Sequence, residues 1–538
     1  MGFAHDRRMA TDEGSVAGAE KRWRAVFVAV FLLLSIFKGV LAWRLQPFVD
    51  EAFYWQESRH LAWGYSDLPP LTAWLIRLGE ALAGHGPWGM RWPFLLLGMA
   101  WPWLLVAFAR RAFGDARAAW QAGLGCLLLP LAGTLGVLAL PDVPLTFAAV
   151  LAIYAQWRAA SENRLWPWWL LGAALALGFM THYRGAMPAL TALFFGITDA
   201  RRRRLWRGAG PWLAVLLAAL GLVPLVISNW QQRGASLAFQ LVERNPWRFH
   251  ADALAQPLEQ ALACTPVLYG LLLWAAWQAW RRRHETAWHL IATQAIGFLG
   301  LYFVLGLFAD DLRFRAHWPL PGYLPLMAAL AVLVRERGAM RGALVAGCGL
   351  AALGLSLGLA WLGLAAGEHG PGWLAGSKLF PSHFVGWREA AREATRLPEA
   401  AGLPWVADNF MLAAELDFAT AGRHPIYVLD NPLNAKHGRA VQVALWRRDE
   451  TALRAEHAGD AVLLIVDETA VRERDRLAWL GSLCARLVEL RPRERLELFA
   501  GAKPIAFYLA RVPVNPLVAG DPAACVAWRA AHVARYGQ

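Results

Sequence analysis

Charged side chains recur in this sequence at the ends of long apolar runs, a place where a charge is costly to hold without a task. Asp50 and Glu51 follow directly on the apolar run 25–45. A carboxylate there could act as a general base and take the proton of an attacking hydroxyl; the plainer alternative is a pair of solvated loop charges. Asp142 lies in Leu140-Pro141-Asp142-Val143-Pro144-Leu145, an almost charge-free hairpin between two apolar runs. Its prolines fix the turn and leave backbone groups free. An isolated carboxylate in that turn is expected to be paired or catalytic, or to cap the helix that starts at Val143, and one Asp can do more than one of these.

Cations gather in the loops of the same parity. They are His182 and Arg184 in Thr181-His182-Tyr183-Arg184-Gly185, then Arg233, Arg244, Arg248 and His250, and finally Arg313, Arg315 and His317. The planar fork of arginine binds two phosphate oxygens at once. Acidic and cationic groups on one face beside lipid suit a phosphate-bearing lipid substrate with a proton to be removed. Headgroup snorkelling is the alternative, strongest for Arg233, and Lys38 inside the first run is expected to snorkel as well.

The elements that must position these groups are helices in a membrane. Hydrophobic residues make up 57% of the 538 and charged residues 17%, against about 25% charged in soluble domains. Apolar runs at 25–45, 91–109, 118–139, 143–157, 166–181, 185–198, 211–228, 262–280, 287–308, 319–334 and 342–365 predict about eleven spans. A signal peptide is the rival reading of the first run, and the many runs after it favour a retained helix. The segments 143–157 and 185–198 are too short to cross alone at about 1.5 Å per residue, and read as helices lining a cavity.

With this count every arginine patch falls on one side: Lys21, Arg22 and Arg24; Arg110, Arg111 and Arg117; Arg158 and Arg164; Arg201 to Arg204; Arg281 to Arg283; Arg335, Arg337 and Arg341. That side is predicted to be cytoplasmic. The net charge of +13 therefore belongs to loops, and nucleic acid is excluded as a partner. The opposite side receives 46–90, the turn at Asp142, 182–184, 229–261, 309–318 and everything after about 366. In the loop 46–90, Leu71, Trp74, Leu75, Leu78 and Leu82 share one helical face, which predicts a helix lying in the interface plane, with a second from Glu51 to about Trp63.

Three regions result: a disordered cytoplasmic N-terminus at 1–22, a transmembrane domain at 23–365 and an external region at 366–538. In the last, strand-like runs at 404–407, 425–429, 461–466 and 504–511 alternate with helical patterns at 385–396 and 469–489, which predicts a soluble α/β domain. The fold class is thus a polytopic α-helical membrane protein with a C-terminal soluble α/β domain. The five cysteines have no metal or redox spacing, and Cys484 and Cys525 in the tail could pair.

At these residues a resemblance appears. Asp50-Glu51-Ala52-Phe53-Tyr54-Trp55, followed by Leu61 to Pro70 with Asp67 just before Leu68-Pro69-Pro70, resembles the first external loop of bacterial membrane glycosyltransferases of the protein O-mannosyltransferase and aminoarabinose-transferase (ArnT-like) kind, in the glycosyltransferase C superfamily. Pro141-Asp142-Val143-Pro144-Leu145, Tyr183-Arg184-Gly185, the stretch from Phe239 to His250 and His317-Trp318-Pro319 resemble later landmarks, in order, over roughly 25–335. The resemblance implies an inverting transfer from a polyprenyl (undecaprenyl) phosphate sugar to a hydroxyl or phosphate of lipid A, an envelope glycan or a protein, on the outer face of the bacterial inner membrane. It implies Asp50 as the base and Asp142 as its helper or the group that orients the acceptor. Arg184, Arg244 and His317 would hold the donor phosphate, with Glu51, Tyr54, Asp67, His182 and Arg248 as further substrate contacts. Leu68 stands where a cation is expected, so another must substitute. No cofactor is required. Some relatives use a divalent metal, to which Asp67 and His317 could contribute ligands. A transporter or flippase of lipid-linked sugars, or a non-catalytic membrane scaffold, are the alternatives.

Overall fold

The computed structural model describes residues 2–243, 247–308, 317–367, 370–471 and 475–515, with 530 and 534. Among them, six helices are long and apolar enough to cross a membrane: Gly18–Arg44, Pro87–Phe113, Asp142–Ser161, Ala209–Gln231, Thr286–Phe308 and Gly338–Ala365. A seventh crossing exists if Ala251–Cys264 and Pro266–Arg281, bent by 112°, act together. The remaining expected spans are shorter helices. The run 118–139 forms Ala116–Leu128 and then breaks at Pro130, and 185–198 forms Ala186–Thr198; each helix has 13 residues, about 20 Å at about 1.5 Å per residue. The first helix reaches back to Gly2, where the sequence predicts disorder. No proline interrupts this stretch, and its alanine, glutamate, lysine and arginine residues are good helix formers.

The chain forms two compact units. The first comprises Met1–Trp43, Leu68–Leu75 and Arg91–Trp361. Its core surrounds the helix Leu320–Glu336, which is buried along most of its length and packs with Ala116–Leu128, Pro266–Arg281 and Thr286–Ala295. Lys38 is buried within the first span, against the expectation that it snorkels. A second cluster joins Asp142–Ser161, Trp166–Thr181 and Ala209–Leu220 through Ala152, Ala155, Ala174, Ala214 and Ala218. Small residues let membrane helices approach closely where no hydrophobic force drives them together. A Cβ at Gly172 would lie 2.7 Å from Leu217 Cβ and 2.8 Å from the Ala214 carbonyl oxygen.

The second unit comprises Arg44–Asp67, Ile76–Met90 and Leu362–Gln538. The loop 46–90 therefore contributes helical segments to the same unit as the tail. The unit holds a sheet of β1 (Trp405–Ala407), β2 (Ile426–Val428), β3 (Ala461–Asp467), β4 (Val488–Leu498) and β5 (Lys503–Arg511), in the order β2-β1-β3-β5-β4. The first three strands are parallel; β5 runs antiparallel to β3, and β4 to β5. Central β3 is a continuous apolar run buried on both faces, the pattern of a covered parallel strand. β4 is an edge strand with Pro492 and alternating charges, which discourage pairing with another chain. It occupies the end of the stretch whose pattern predicts a helix over 469–489; the helix there is Arg476–Cys484. Cys484 is disulfide-bonded, and Cys525 lies outside the described residues.

The helix Val49–Arg59 packs on Phe410–Ala419, with Phe53 edge-on to Phe410 at 5.5 Å and Trp55 edge-on to Phe418 at 5.2 Å. Replacing Gly172 by Leu should destabilise the first unit by about 1–3 kcal/mol or more, the range for overpacking a close contact. Thermal unfolding in detergent checks this, with Gly270→Leu, whose Cβ would meet nothing within 4 Å, as the neutral control.

Candidate active site

Two constellations of charged groups form, one in each unit. In the second unit, Asp50, Tyr54 and Glu57 share a face of Val49–Arg59, as positions four and seven residues apart on a helix must. The guanidinium of Arg439 faces them. Its Nη2 lies 3.4 Å from Asp50 Oδ1, 3.4 Å from the Tyr54 hydroxyl and 3.2 Å from Asp67 Oδ2. The flat faces of the cation rest on aromatic rings, 4.0 Å from the centroid of Phe53, 5.0 Å from Tyr54 and 5.5 Å from Phe410. Such contacts favour arginine over lysine, since a planar cation can stack while its edge donates hydrogen bonds.

The loop carrying Asp67 is pinned to the turn that carries Arg439. Ser66 Oγ donates to the Gly438 carbonyl at 2.6 Å, and the Ser66 N–H donates to Gln442 Oε1 at 2.9 Å. Gly438 has a φ of 71°, which a residue with a side chain rarely adopts.

One cation thus meets three carboxyl groups, so charge balance requires protons. Burial, then the neighbouring Asp67, pushes the Glu57 carboxyl well above its usual range. Burial also raises Asp67, against the pull of Arg439. A protonated Glu57 can donate to Asp67, leaving Asp67 and Asp50 to share Arg439. The side chain of Asp50 is 31% exposed and that of Asp67 only 6%. Asp50 is therefore the member of this set that can reach a substrate.

In the first unit, Asp142 opens the helix Asp142–Ser161 and lies beside two cations. Arg184 Nη2 donates to Asp142 Oδ1 at 2.7 Å, and His317 Nε2 lies 3.2 Å from the same oxygen. Arg184 stacks over the ring of Trp318, 5.2 Å from its centroid, and Trp318 stands 5.9 Å from Tyr302. Its Nε is buried and finds no hydrogen-bond partner among the described residues. His317 is partly exposed. Asp142, met by both side chains at one oxygen, holds them in place. This group is built to fix Arg184 and His317, with one guanidinium edge left for an oxyanion.

The other expected contacts divide. Glu51 is buried and accepts the Phe48 N–H at 2.9 Å, which satisfies one backbone donor at the start of its helix. His182 is buried and its Nδ1 accepts the Arg184 N–H at 3.0 Å, which orients the segment that bears Arg184. Arg248 is exposed. Arg244, Arg313 and Arg315 lie outside the described residues. Asp67 is engaged by Arg439 and His317 by Asp142, and among the described residues no three His, Cys, Asp or Glu side chains gather as a metal site needs. Arg439 and Glu57 are additions to the sequence-based set. Glu57 was legible as the residue two turns after Asp50; nothing in the local sequence marks Arg439.

Comparison with known proteins follows the same lines. Residues 67–228 match the family model for dolichyl-phosphate-mannose-protein mannosyltransferase. The chain is 31% identical over 332 residues to the undecaprenyl phosphate-alpha-4-amino-4-deoxy-L-arabinose arabinosyl transferase of Pseudomonas paraeruginosa, and 30% over 333 residues to that of Pseudomonas aeruginosa PAO1. Each match covers 56% of this chain and 56% of the relative, so the chain spans little more than half the length of the curated relatives it matches. In fold it is similar to ArnT from Cupriavidus metallidurans bound to undecaprenyl phosphate, with a TM-score of 0.62 at 17% identity, covering 90% of this chain and 98% of that one.

Glu57 generates a pH prediction. A carboxyl raised in the folded state contributes stability that is full below its ordinary range and lost as pH rises through the folded value. Glu57→Gln keeps a donor toward Asp67 and removes the titration. From pH 5 to pH 8 the wild-type protein should therefore lose more thermal stability than Glu57→Gln. Parallel melting curves for the two proteins would contradict a protonated Glu57.

Proposed function

We propose that this chain, which is similar to aminoarabinose and protein mannosyl transferases, is a member of the glycosyltransferase C superfamily and moves a sugar from a polyprenyl phosphate to an envelope acceptor, a glycolipid, glycan or protein, on the outer side of a bacterial inner membrane. In this reading the shorter apolar helices complete about eleven crossings, the N-terminus is cytoplasmic and the sheet-bearing tail external.

The transfer has two chemical needs, a base for the acceptor and positive charge for the leaving phosphate. The acceptor oxygen attacks the anomeric carbon from the face opposite the phosphate. The bond from that carbon to the phosphate oxygen breaks, and the electron pair leaves with the polyprenyl phosphate. When the acceptor is a hydroxyl, its proton must be taken, and Asp50 is the carboxylate with access. The leaving phosphate gains charge, which a preorganised guanidinium and imidazole stabilise. Arg184 and His317 fill that role, with Asp142 as the residue that positions both. The observation that carries the reading is the half-buried Arg184, tied to Asp142 by one nitrogen and with its Nε buried and without a partner among the described residues.

The test is lipid mass spectrometry of cells carrying each variant, with transfer assayed on purified protein. Asp50→Asn should lower the transfer rate about 10²–10⁴-fold, the usual contribution of a general base, with accumulation of a polyprenyl phosphate bearing one sugar whose mass identifies that sugar. Arg184→Lys should lose most activity despite keeping the charge, because lysine cannot donate to Asp142 and to a phosphate in one plane. EDTA should leave transfer unchanged. An unaltered lipid profile with both variants active would instead favour the scaffold or transport reading.

A further inference from the structure

Outside both constellations, the first unit carries a narrow apolar groove of about 310 Å³. It runs between the helices Trp166–Thr181, Ala186–Thr198 and Ala209–Leu220. Small residues such as Ala189, Ala192 and Ala218 form its floor, and Trp168 and Phe179 stand along its wall. From Trp168 to Phe179 the wall is about 16 Å long at about 1.5 Å per residue. That is half of a hydrocarbon core about 30 Å thick, the depth of one leaflet.

The end of the groove is polar. Arg202, in the arginine patch 201–204, lines it while being only 9% exposed. Its Nη2 donates to Thr286 Oγ1 at 2.5 Å and its cation lies 5.3 Å from the Phe195 ring centroid. Its Nε is buried without a hydrogen-bond partner among the described residues. The nearby carboxylate, Asp199, accepts the Arg201 N–H at 2.7 Å, and it is a single acid beside Arg201 to Arg204 and Arg207. A guanidinium removed from water with a donor unspent is costly unless an anion meets it.

We infer that this groove is a binding site for an anionic membrane phospholipid of the leaflet on the arginine-rich side, with one acyl chain between the helices and its phosphate on Arg202. The groove length matches an acyl chain of one leaflet, whereas a polyprenyl chain of the donor kind is several times longer. The site thus differs in ligand and place from Arg184 and His317, and makes the enzyme's stability depend on the lipid around it.

Lipids retained by the full-length protein after purification in mild detergent are identified by mass spectrometry, and thermal unfolding is followed in nanodiscs of phosphatidylglycerol or of phosphatidylcholine. The wild-type protein should retain an anionic phospholipid and melt higher in phosphatidylglycerol. Arg202→Gln should weaken retention by about tenfold, the worth of a charge-assisted hydrogen bond, and abolish the difference between the two nanodiscs. Arg204→Gln, an exposed neighbour outside the groove, should do neither. Ala192→Phe should expel the lipid while leaving Arg202 in place. Equal melting in both nanodiscs, retention unaffected by Arg202→Gln, or a retained polyprenyl phosphate lost with Arg202→Gln would each overturn the inference. None of these readouts depends on sugar transfer, so their failure is separable from failure of the proposed activity.

Discussion

A guanidinium out of water is held by carboxylates at its edge and by aromatic rings on its faces, and two such cations organise this chain, one in each unit. Arg439 is met by two carboxylates along one edge and by aromatic rings on its faces. Arg184 is met by Asp142 on one nitrogen and by Trp318 on its face. In each case removing one partner would leave a buried charge, a change far more costly than the pair itself is stabilising. These groups therefore fix in place the segments that bear them.

The two clusters solve the problem differently. Around Arg439 acidic groups outnumber the cation, burial raises the Glu57 carboxyl, and the side chain of Asp50 stays more exposed than that of Asp67. Around Asp142 a single acid meets both Arg184 and His317. The resemblance implied Asp50 as the base and Asp142 as its helper or the group that orients the acceptor; the partners of each are what the structure adds.

Much of the membrane part was legible because its signals are long. Twenty apolar residues between arginine patches identify a span without any knowledge of neighbours, and the helices at Val49–Arg59 and Leu71–Ala83 followed from one-face patterns. The count was less secure, since an apolar helix of 13 residues inside a bundle and one at the end of a span look alike in sequence. In the tail, β3 and β5 were plain from their unbroken apolar runs, whereas β4 hides behind its charges and its proline. The site was half legible. Asp142, Arg184 and His317 are marked by isolation among apolar residues. Arg439 is one arginine among many in a polar region, and what singles it out is a pairing with Asp50 across 389 positions.

That separation has a consequence for biosynthesis. Chains emerge from the ribosome N-terminus first, and membrane helices insert as they emerge. The segment carrying Asp50 is made early, and its partner Arg439 only 389 residues later. A product truncated before position 439 would lack the cation that faces Asp50 and Asp67, so the order of the segment that bears them waits on about the last fifth of this sequence.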